Sequence, residues 1–135
     1  MNSRTAFCKL VLVISLGLFL TSCGVPMTKG QIWLDSKKDD PQMNVSGTWT
    51  SREWGTARFK QEGRNVEGVL GDYPVKGVVS GKTIYLLMYS GTRVDYSAEL
   101  TLSDDNTFQG FYSKYSIVGE AETASKRKMS LKLAP

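Results

Sequence analysis

The alternation of apolar and polar residues from Val45 onward is the feature that most restricts what this chain can fold into. In its clearest stretch, from Val94 to Leu102, every second residue is apolar and the residues between are polar or charged. A period of two places alternate side chains on opposite faces of a β-strand, whereas an amphipathic helix has a period of 3.6 residues. Turn residues interrupt the alternation about every eight to twelve residues, a spacing typical of an all-β sandwich or barrel.

Eight strands are predicted in this part of the chain. We expect them at residues 45–50, 55–61, 66–70, 75–79, 82–89, 94–102, 107–113 and 129–133. Short turns such as Ser80-Gly81 favour antiparallel neighbours, and closing the sheet into a barrel removes its exposed edges. The predicted fold class is therefore all-β, an eight-stranded antiparallel up-and-down β-barrel. A barrel of this size is filled by side chains or holds one small ligand.

Glycine occupies several positions on the predicted inward faces of the strands. These positions are Gly47, Gly68, Gly77 and Gly110. Glycine inside a strand marks a sharp bend or a close approach of two backbones. We therefore expect the barrel wall to bend or to pack closely at these four residues.

The first 22 residues have the features of a secretory signal peptide in the usual order. Arg4 and Lys9 lie in a basic start, and an apolar run without charge follows from Leu10 to Leu20. The length of the run suits the ~7–15 residue hydrophobic region of a signal, and it falls short of the ~20 residues that span a bilayer. We expect residues 1–22 to be a signal peptide that is removed.

The end of this run, Leu20-Thr21-Ser22-Cys23, resembles the lipobox of bacterial lipoproteins. The resemblance implies that Cys23 Sγ carries a diacylglycerol and that this lipid anchors the protein to the membrane. Two or three acyl chains are enough for stable anchoring. In that family, aspartate after the cysteine retains a protein in the inner membrane. Because this chain has Gly24 at that position, the resemblance implies that the protein is anchored in the outer membrane and faces the periplasm. In a cell without an outer membrane, it would lie on the outer face of the cytoplasmic membrane. An ordinary cleaved signal with Cys23 as a free thiol is the alternative.

The remaining chain divides into a tether and a domain. Residues 23–44 show no lasting helical or alternating period and contain a charge cluster that ends at Pro41. We predict a lipidated flexible tether over 23–44 and a β-barrel domain over 45–135. Within the tether, the apolar triplet Ile32-Trp33-Leu34 is expected either to pack on the domain or to touch the membrane interface, where tryptophan is favoured.

A short motif on the first predicted strand supports the barrel. Gly47-Thr48-Trp49 resembles the Gly-x-Trp motif of the lipocalin-like and avidin-like barrels of the calycin group. In that group the tryptophan closes one end of the barrel and stacks on a basic residue of the last strand. The resemblance implies a plug pair of Trp49 with Arg127, with Lys132 as the second choice.

The composition argues against catalysis. The chain has no histidine, which removes the Ser-His and Cys-His nucleophile pairs and the histidine-rich metal sites. The carboxylate pairs Asp39-Asp40 and Asp104-Asp105 lie in polar segments, where solvated charge explains them. We therefore expect no enzyme activity, no catalytic residue, no metal and no cofactor.

The net charge does not point to nucleic acid. The formal charge of +4 comes from 17 basic and 13 acidic residues. Loss of Arg4 and Lys9 with the signal leaves 15 basic against 13 acidic residues, about +2. Export and the lack of a clustered basic face argue against a nucleic-acid partner.

Two functions remain after these exclusions. The first is a binding module for an apolar small molecule or an envelope component, with Trp49, Tyr96 and Tyr112 as candidate lining residues, because tyrosine presents an apolar ring with a polar end. The second is a structural, assembly or inhibitor barrel without a cavity. Its partner would bind an outward apolar patch of Val69, Tyr85, Leu87 and Phe111.

Overall fold

The computed structural model describes residues 27–103, 106–120 and 126–135. Eight antiparallel strands follow one another around a closed barrel, each paired with its neighbour in the chain, and the last pairs with the first. The strands are β1 (Gly47–Ser51), β2 (Gly55–Glu62), β3 (Asn65–Leu70), β4 (Tyr73–Ser80), β5 (Thr83–Ser90), β6 (Arg93–Leu102), β7 (Thr107–Lys114) and β8 (Arg127–Leu133). The predicted fold class, an up-and-down eight-stranded barrel, is confirmed.

The barrel interior is packed with side chains. The inward residues predicted from the alternation, such as Leu86, Leu100 and Leu131, are fully buried and form one continuous core. Phe108 and Met88 add large side chains to the same core. The packing of these apolar residues supplies the main driving force for closing the barrel.

The inward glycines lie where neighbouring strands approach closely. A Cβ added at Gly68 would collide with the carbonyl oxygen of Arg58, and one added at Gly110 with that of Glu99. Gly77 has the same relation to Tyr85, so the prediction of close approach is confirmed at three of the four positions. At Gly47, an added Cβ would meet no atom within 4 Å.

A helix, α1 (Met27–Asp35), precedes the barrel and packs on its outer wall. The prediction that residues 23–44 form an irregular tether is therefore wrong over these nine residues. Leu34, at 2% exposure, lies in an outer cluster with residues of β4, β5 and β6. Trp33 contacts Tyr85 edge to face at 5.4 Å, while Ile32 stays 69% exposed. Packing on the barrel thus holds a helix too short to be stable alone.

The two ends of the barrel differ in what closes them. The base is the end that carries the β2–β3, β4–β5 and β6–β7 turns, and the chain enters the barrel there. Val45 is buried at the base, and its amide donates to Gln61 Oε1. The mouth is the opposite end, formed by the β1–β2, β3–β4, β5–β6 and β7–β8 connections. Over the described ranges, no helix is both long and apolar enough to cross a membrane.

Candidate binding site at the barrel mouth

An aromatic layer closes the mouth. Trp54 lies at its centre, with ring centroids 4.9 Å from Tyr96, 5.2 Å from Tyr112 and 5.7 Å from Tyr73. All three contacts are edge to face, and Tyr73 and Tyr96 also contact each other at 5.4 Å. Such arrangements are the preferred geometry of aromatic pairs. The layer is therefore an ordered surface of rings above the aliphatic core.

The turn between β1 and β2 sets the position of Trp54. Ser51 Oγ accepts a hydrogen bond from the Trp54 amide at 3.3 Å and donates one to Glu53 Oε2 at 3.2 Å. Gly71, in the adjacent β3–β4 turn, adopts a φ of 58°, and an added Cβ there would lie 2.6 Å from the Trp54 carbonyl oxygen. Glycine is required at that position both for the backbone angle and for the space.

The tyrosines come from the strands themselves. Tyr96 on β6 lies opposite Lys114 on β7, and Tyr112 on β7 lies opposite Arg127 on β8. This register places two cations beside two phenol rings. Lys114 Nζ is 5.9 Å from the centre of the Tyr96 ring and 4.9 Å from that of Tyr115, within the range of cation–π attraction.

A cleft of about 300 Å³ opens between the aromatic layer and these charges. Its lining consists of Glu53, Trp54, Tyr96, Tyr112, Lys114 and Arg127. Aromatic walls with a few charged groups at one side are typical of small-ligand sites, in which the apolar surface gives affinity and the polar groups fix orientation. The cleft can hold the ring of a small ligand and place an anionic group beside the two cations.

Two polar groups of the aromatic layer have features that a ligand site uses. Trp54 Nε1 is buried, and no acceptor among the described residues forms a hydrogen bond with it. Burial raises the pKa of Tyr73, and the neighbouring Tyr96 raises it further. Tyr73 is therefore a neutral phenol at physiological pH, and Trp54 retains a hydrogen-bond donor that is not satisfied within the described chain.

The structure brings together two of the three predicted lining residues. Tyr96 and Tyr112 share the mouth cleft, whereas Trp49 lies at the base. The Trp49 ring contacts Phe108 at 5.0 Å, and its Nε1 donates to the Val45 carbonyl at 2.9 Å. The sequence marks Trp54 as one of several aromatic residues beyond those that a small core needs, but the candidate lining residues did not include it.

The predicted plug pair of Trp49 and Arg127 is wrong. On β8, the residue opposite Trp49 is Leu133, while Arg127 begins the strand six residues earlier at the mouth. At about 3.3 Å per residue, the two positions lie roughly 20 Å apart along β8. The second choice, Lys132, pairs with Thr50 and has an exposed side chain, because it alternates with the inward Leu131.

The outward apolar patch predicted for a protein partner is not continuous. Helix α1 covers Tyr85 and Leu87, while Val69 and Phe111 stay 41% and 43% exposed on β3 and β7, which are far apart around the barrel. A second groove, of about 450 Å³, lies on the outer wall at β7 and β8 beside Phe111. Although it is larger than the mouth cleft, its lining includes only this one aromatic ring.

Several predictions lie outside the described residues or concern metals. Cys23, the signal peptide over 1–22 and the pair Asp104-Asp105 are outside the described ranges. Within residues 27–103, 106–120 and 126–135, no group of three or more cysteine, aspartate or glutamate side chains is placed to hold a metal ion.

Comparison of the chain with models of known protein families, with curated proteins and with solved structures found no match. The fold and the mouth cleft are therefore the basis for the function proposed below.

Proposed function

We propose that this protein is an exported, lipid-anchored envelope lipoprotein whose barrel binds a small envelope component at its mouth. The signal features and the lipobox-like Cys23 support the anchor and a location in the envelope, at the outer membrane where the cell has one. The single observation that carries the binding function is the cleft walled by Trp54, Tyr96 and Tyr112. No enzymatic activity is assigned.

The lining of the cleft defines the ligand class. Because the core fills the barrel interior, the ligand binds at the mouth and not inside the barrel. The aromatic rings supply apolar contact area, and Lys114 with Arg127 outweighs the single carboxylate of Glu53, so the lining carries net positive charge. A ligand with one ring or a compact apolar part and one anionic group matches both features. This narrows the expected apolar molecule to an amphiphilic one.

Calorimetric titration of the full chain with phenyl phosphate tests the proposal. Phenyl phosphate carries a ring and an anion, inorganic phosphate carries the anion alone, and benzyl alcohol carries the ring alone. We expect phenyl phosphate to bind most tightly. Arg127→Gln should weaken it about tenfold, because a charge-assisted hydrogen bond contributes about 1.5 kcal/mol or more.

Arg58→Gln is the matched control. Arg58 is an exposed cation on the outer side of β2 that does not line the cleft, and its loss should leave the affinity unchanged. Equal affinities of the three probes, or equal effects of the two substitutions, would exclude the mouth as the binding site.

The interaction-protein alternative has one observation in its favour, the groove beside Phe111 on β7 and β8. β8 pairs with β7 along six residues, but it pairs with β1 only through Leu133 and Lys132. Among the described residues, the first part of β8 therefore has no strand on its β1 side, and the groove lies beside this part. A photo-crosslinking residue at Phe111 in intact cells should capture one dominant protein if this alternative is correct. Capture of no dominant partner would count against it.

A further inference from the structure

Helix α1 runs along the barrel wall from the mouth to the base. Near its start, Lys29 Nζ forms an ion pair of 2.7 Å with Glu120, which lies in the β7–β8 connection at the mouth. At its end, the carbonyl groups of Leu34 and Lys37 accept hydrogen bonds from Arg64, in the β2–β3 turn at the base. These contacts fix the direction of the helix, so Met27 lies on the mouth side.

The distance in sequence from Cys23 to this helix is short. Met27 is the fourth residue after Cys23, and an extended chain spans at most about 3.6 Å per residue, or about 14 Å between the two Cα atoms. The backbone of Cys23 is therefore within about 14 Å of the start of α1, and a lipid on its side chain enters the bilayer near that end of the helix. The base, where the chain arrives only after the helix and residues 36–44, is at the opposite end of the barrel.

The rim of the mouth has the side chains that suit an anionic membrane surface. Two ion pairs at this end, Lys29–Glu120 and Arg93–Asp95, are internally neutral. The other charged residues of the described mouth are mostly basic. The basic ones are Arg52, Lys114, Lys126, Arg127 and Lys128, and the acidic ones are Glu53 and Asp72.

Aromatic groups accompany these charges. Tyr115 is exposed beside Lys114, and Trp54 with the mouth tyrosines lies just below the rim. Tyrosine and tryptophan are favoured at the level of lipid headgroups, and basic residues are attracted to anionic lipids over about a Debye length. The base also carries exposed basic residues, among them Lys38, Lys82 and Lys132, but Asp39, Asp40 and Glu62 offset part of their charge. The aromatic side chains and the short link to Cys23, more than the charge, therefore distinguish the mouth.

We propose that the mouth of the barrel rests on the anionic phospholipid headgroups of the membrane that holds the anchor, so that the cleft opens toward the bilayer. The inference rests on the proposed lipid anchor at Cys23. This orientation also identifies a source for the ligand of the proposed function. A cleft that faces the bilayer can bind the charged end of a membrane amphiphile directly at the lipid surface.

Fluorescence quenching from the bilayer tests this orientation. The acylated protein is reconstituted into vesicles of phosphatidylcholine with phosphatidylglycerol, with a trace of quencher in the headgroup region. A single added cysteine takes the dye, because Cys8 is lost with the proposed signal and Cys23 carries the lipid. Thr92→Cys labels the β5–β6 turn at the mouth, and Asn65→Cys labels the base as its matched control, since both residues are exposed and uncharged.

The two labels differ by about 20 Å along the barrel axis, given the rise per residue and the usual strand tilt. We expect several-fold stronger quenching at Thr92 than at Asn65. The difference should shrink in pure phosphatidylcholine and in Lys114→Gln/Arg127→Gln, but not in the charge-matched control Arg58→Gln/Lys76→Gln. Equal quenching of the two labels, or stronger quenching at Asn65, overturns the orientation.

Mass spectrometry of Cys23 keeps this test separate from the tests of the proposed function. An unmodified Cys23 overturns the anchor and with it this orientation. An acylated protein that binds phenyl phosphate but shows equal quenching at the two labels overturns the orientation alone. An acylated protein with the predicted quenching that binds none of the probes confirms the orientation and removes the ligand-binding function.

Discussion

Each end of the barrel carries a tryptophan, but the two serve different purposes. At the base, Trp49 is 4% exposed, its ring packs on Phe108, and its Nε1 donates to the Val45 carbonyl. At the mouth, Trp54 is only partly buried and makes edge-to-face contacts with three tyrosines. Its Nε1 has no hydrogen-bond acceptor among the described residues.

The difference indicates that the base closes the barrel for stability, and it supports our proposal that a ligand binds at the mouth. A buried donor with its acceptor adds stability and specifies one structure, whereas a buried donor without one costs free energy that an unliganded protein does not recover. Proteins commonly retain such costs at functional sites. The base therefore acts as a structural plug, and the mouth acts as the candidate binding surface.

Removal of the two rings should give the largest difference between the ends. Trp49→Ala is expected to lower the free energy of unfolding by about 3–5 kcal/mol, because it opens a cavity in the core. Trp54→Ala, at a partly exposed site, should cost about 1–2 kcal/mol. Urea denaturation measures both. Equal losses would mean that the mouth layer is as much a part of the core as the base.

Replacement of each indole by a phenyl ring isolates the hydrogen bond. Trp49→Phe leaves the Val45 carbonyl without its donor, whereas Trp54→Phe removes a donor that has no acceptor among the described residues. We expect Trp49→Phe to be the more destabilising of the two by about 1–2 kcal/mol. The double variant should show additive effects, since the residues lie at opposite ends of the barrel. A reversed order would show that Trp54 Nε1 has a partner in solution.

Much of the barrel follows from the sequence, because a period of two specifies which residues face inward along a strand. The eight strands, and close approach at Gly68, Gly77 and Gly110, were predicted on this basis and are confirmed. Residue type alone does not give the register between strands distant in sequence. The Gly-x-Trp resemblance implies a basic residue near the last strand but does not say at which end of that strand it lies, and Arg127 lies at the mouth whereas Trp49 lies at the base.

Helix α1 was missed because its stability comes from the barrel and not from its own sequence. The segment is short, and its Gly30 has the appearance of a linker residue. In the structure Gly30 faces Leu87, where an added Cβ would lie 2.7 Å from Cδ1, so the glycine lets the helix approach the wall. The cleft could not be predicted for a similar reason, since Trp54 comes from a turn whose direction depends on Ser51 and Gly71.

The smallest expected effect concerns alkaline pH and compares the aromatic layer of the mouth with the outer cluster under α1. Burial raises the pKa of Tyr73 at the mouth, and burial also raises that of Tyr89 in the outer cluster with α1. The folded state thus holds these phenolic protons to higher pH than the unfolded state, whose tyrosines ionise near pH 10. Because stability falls with pH wherever the folded state binds more protons, the free energy of unfolding should decline as pH rises above about 10.

Tyr73→Phe should reduce the loss of unfolding free energy between pH 8 and pH 11. This change should be smaller than the effect of either tryptophan substitution, because Tyr73 is close to solvent. Tyr89→Phe should reduce the loss independently. Urea denaturation of the three proteins from pH 8 to pH 11 provides the comparison, and ionisation of the lysines is common to all of them. If the curve for Tyr73→Phe runs parallel to that of the unaltered protein, the Tyr73 phenol is not held neutral by the mouth. The aromatic layer would then be open to water in solution, and the contrast with the dry, hydrogen-bonded base would be greater than the packing of Trp54 implies.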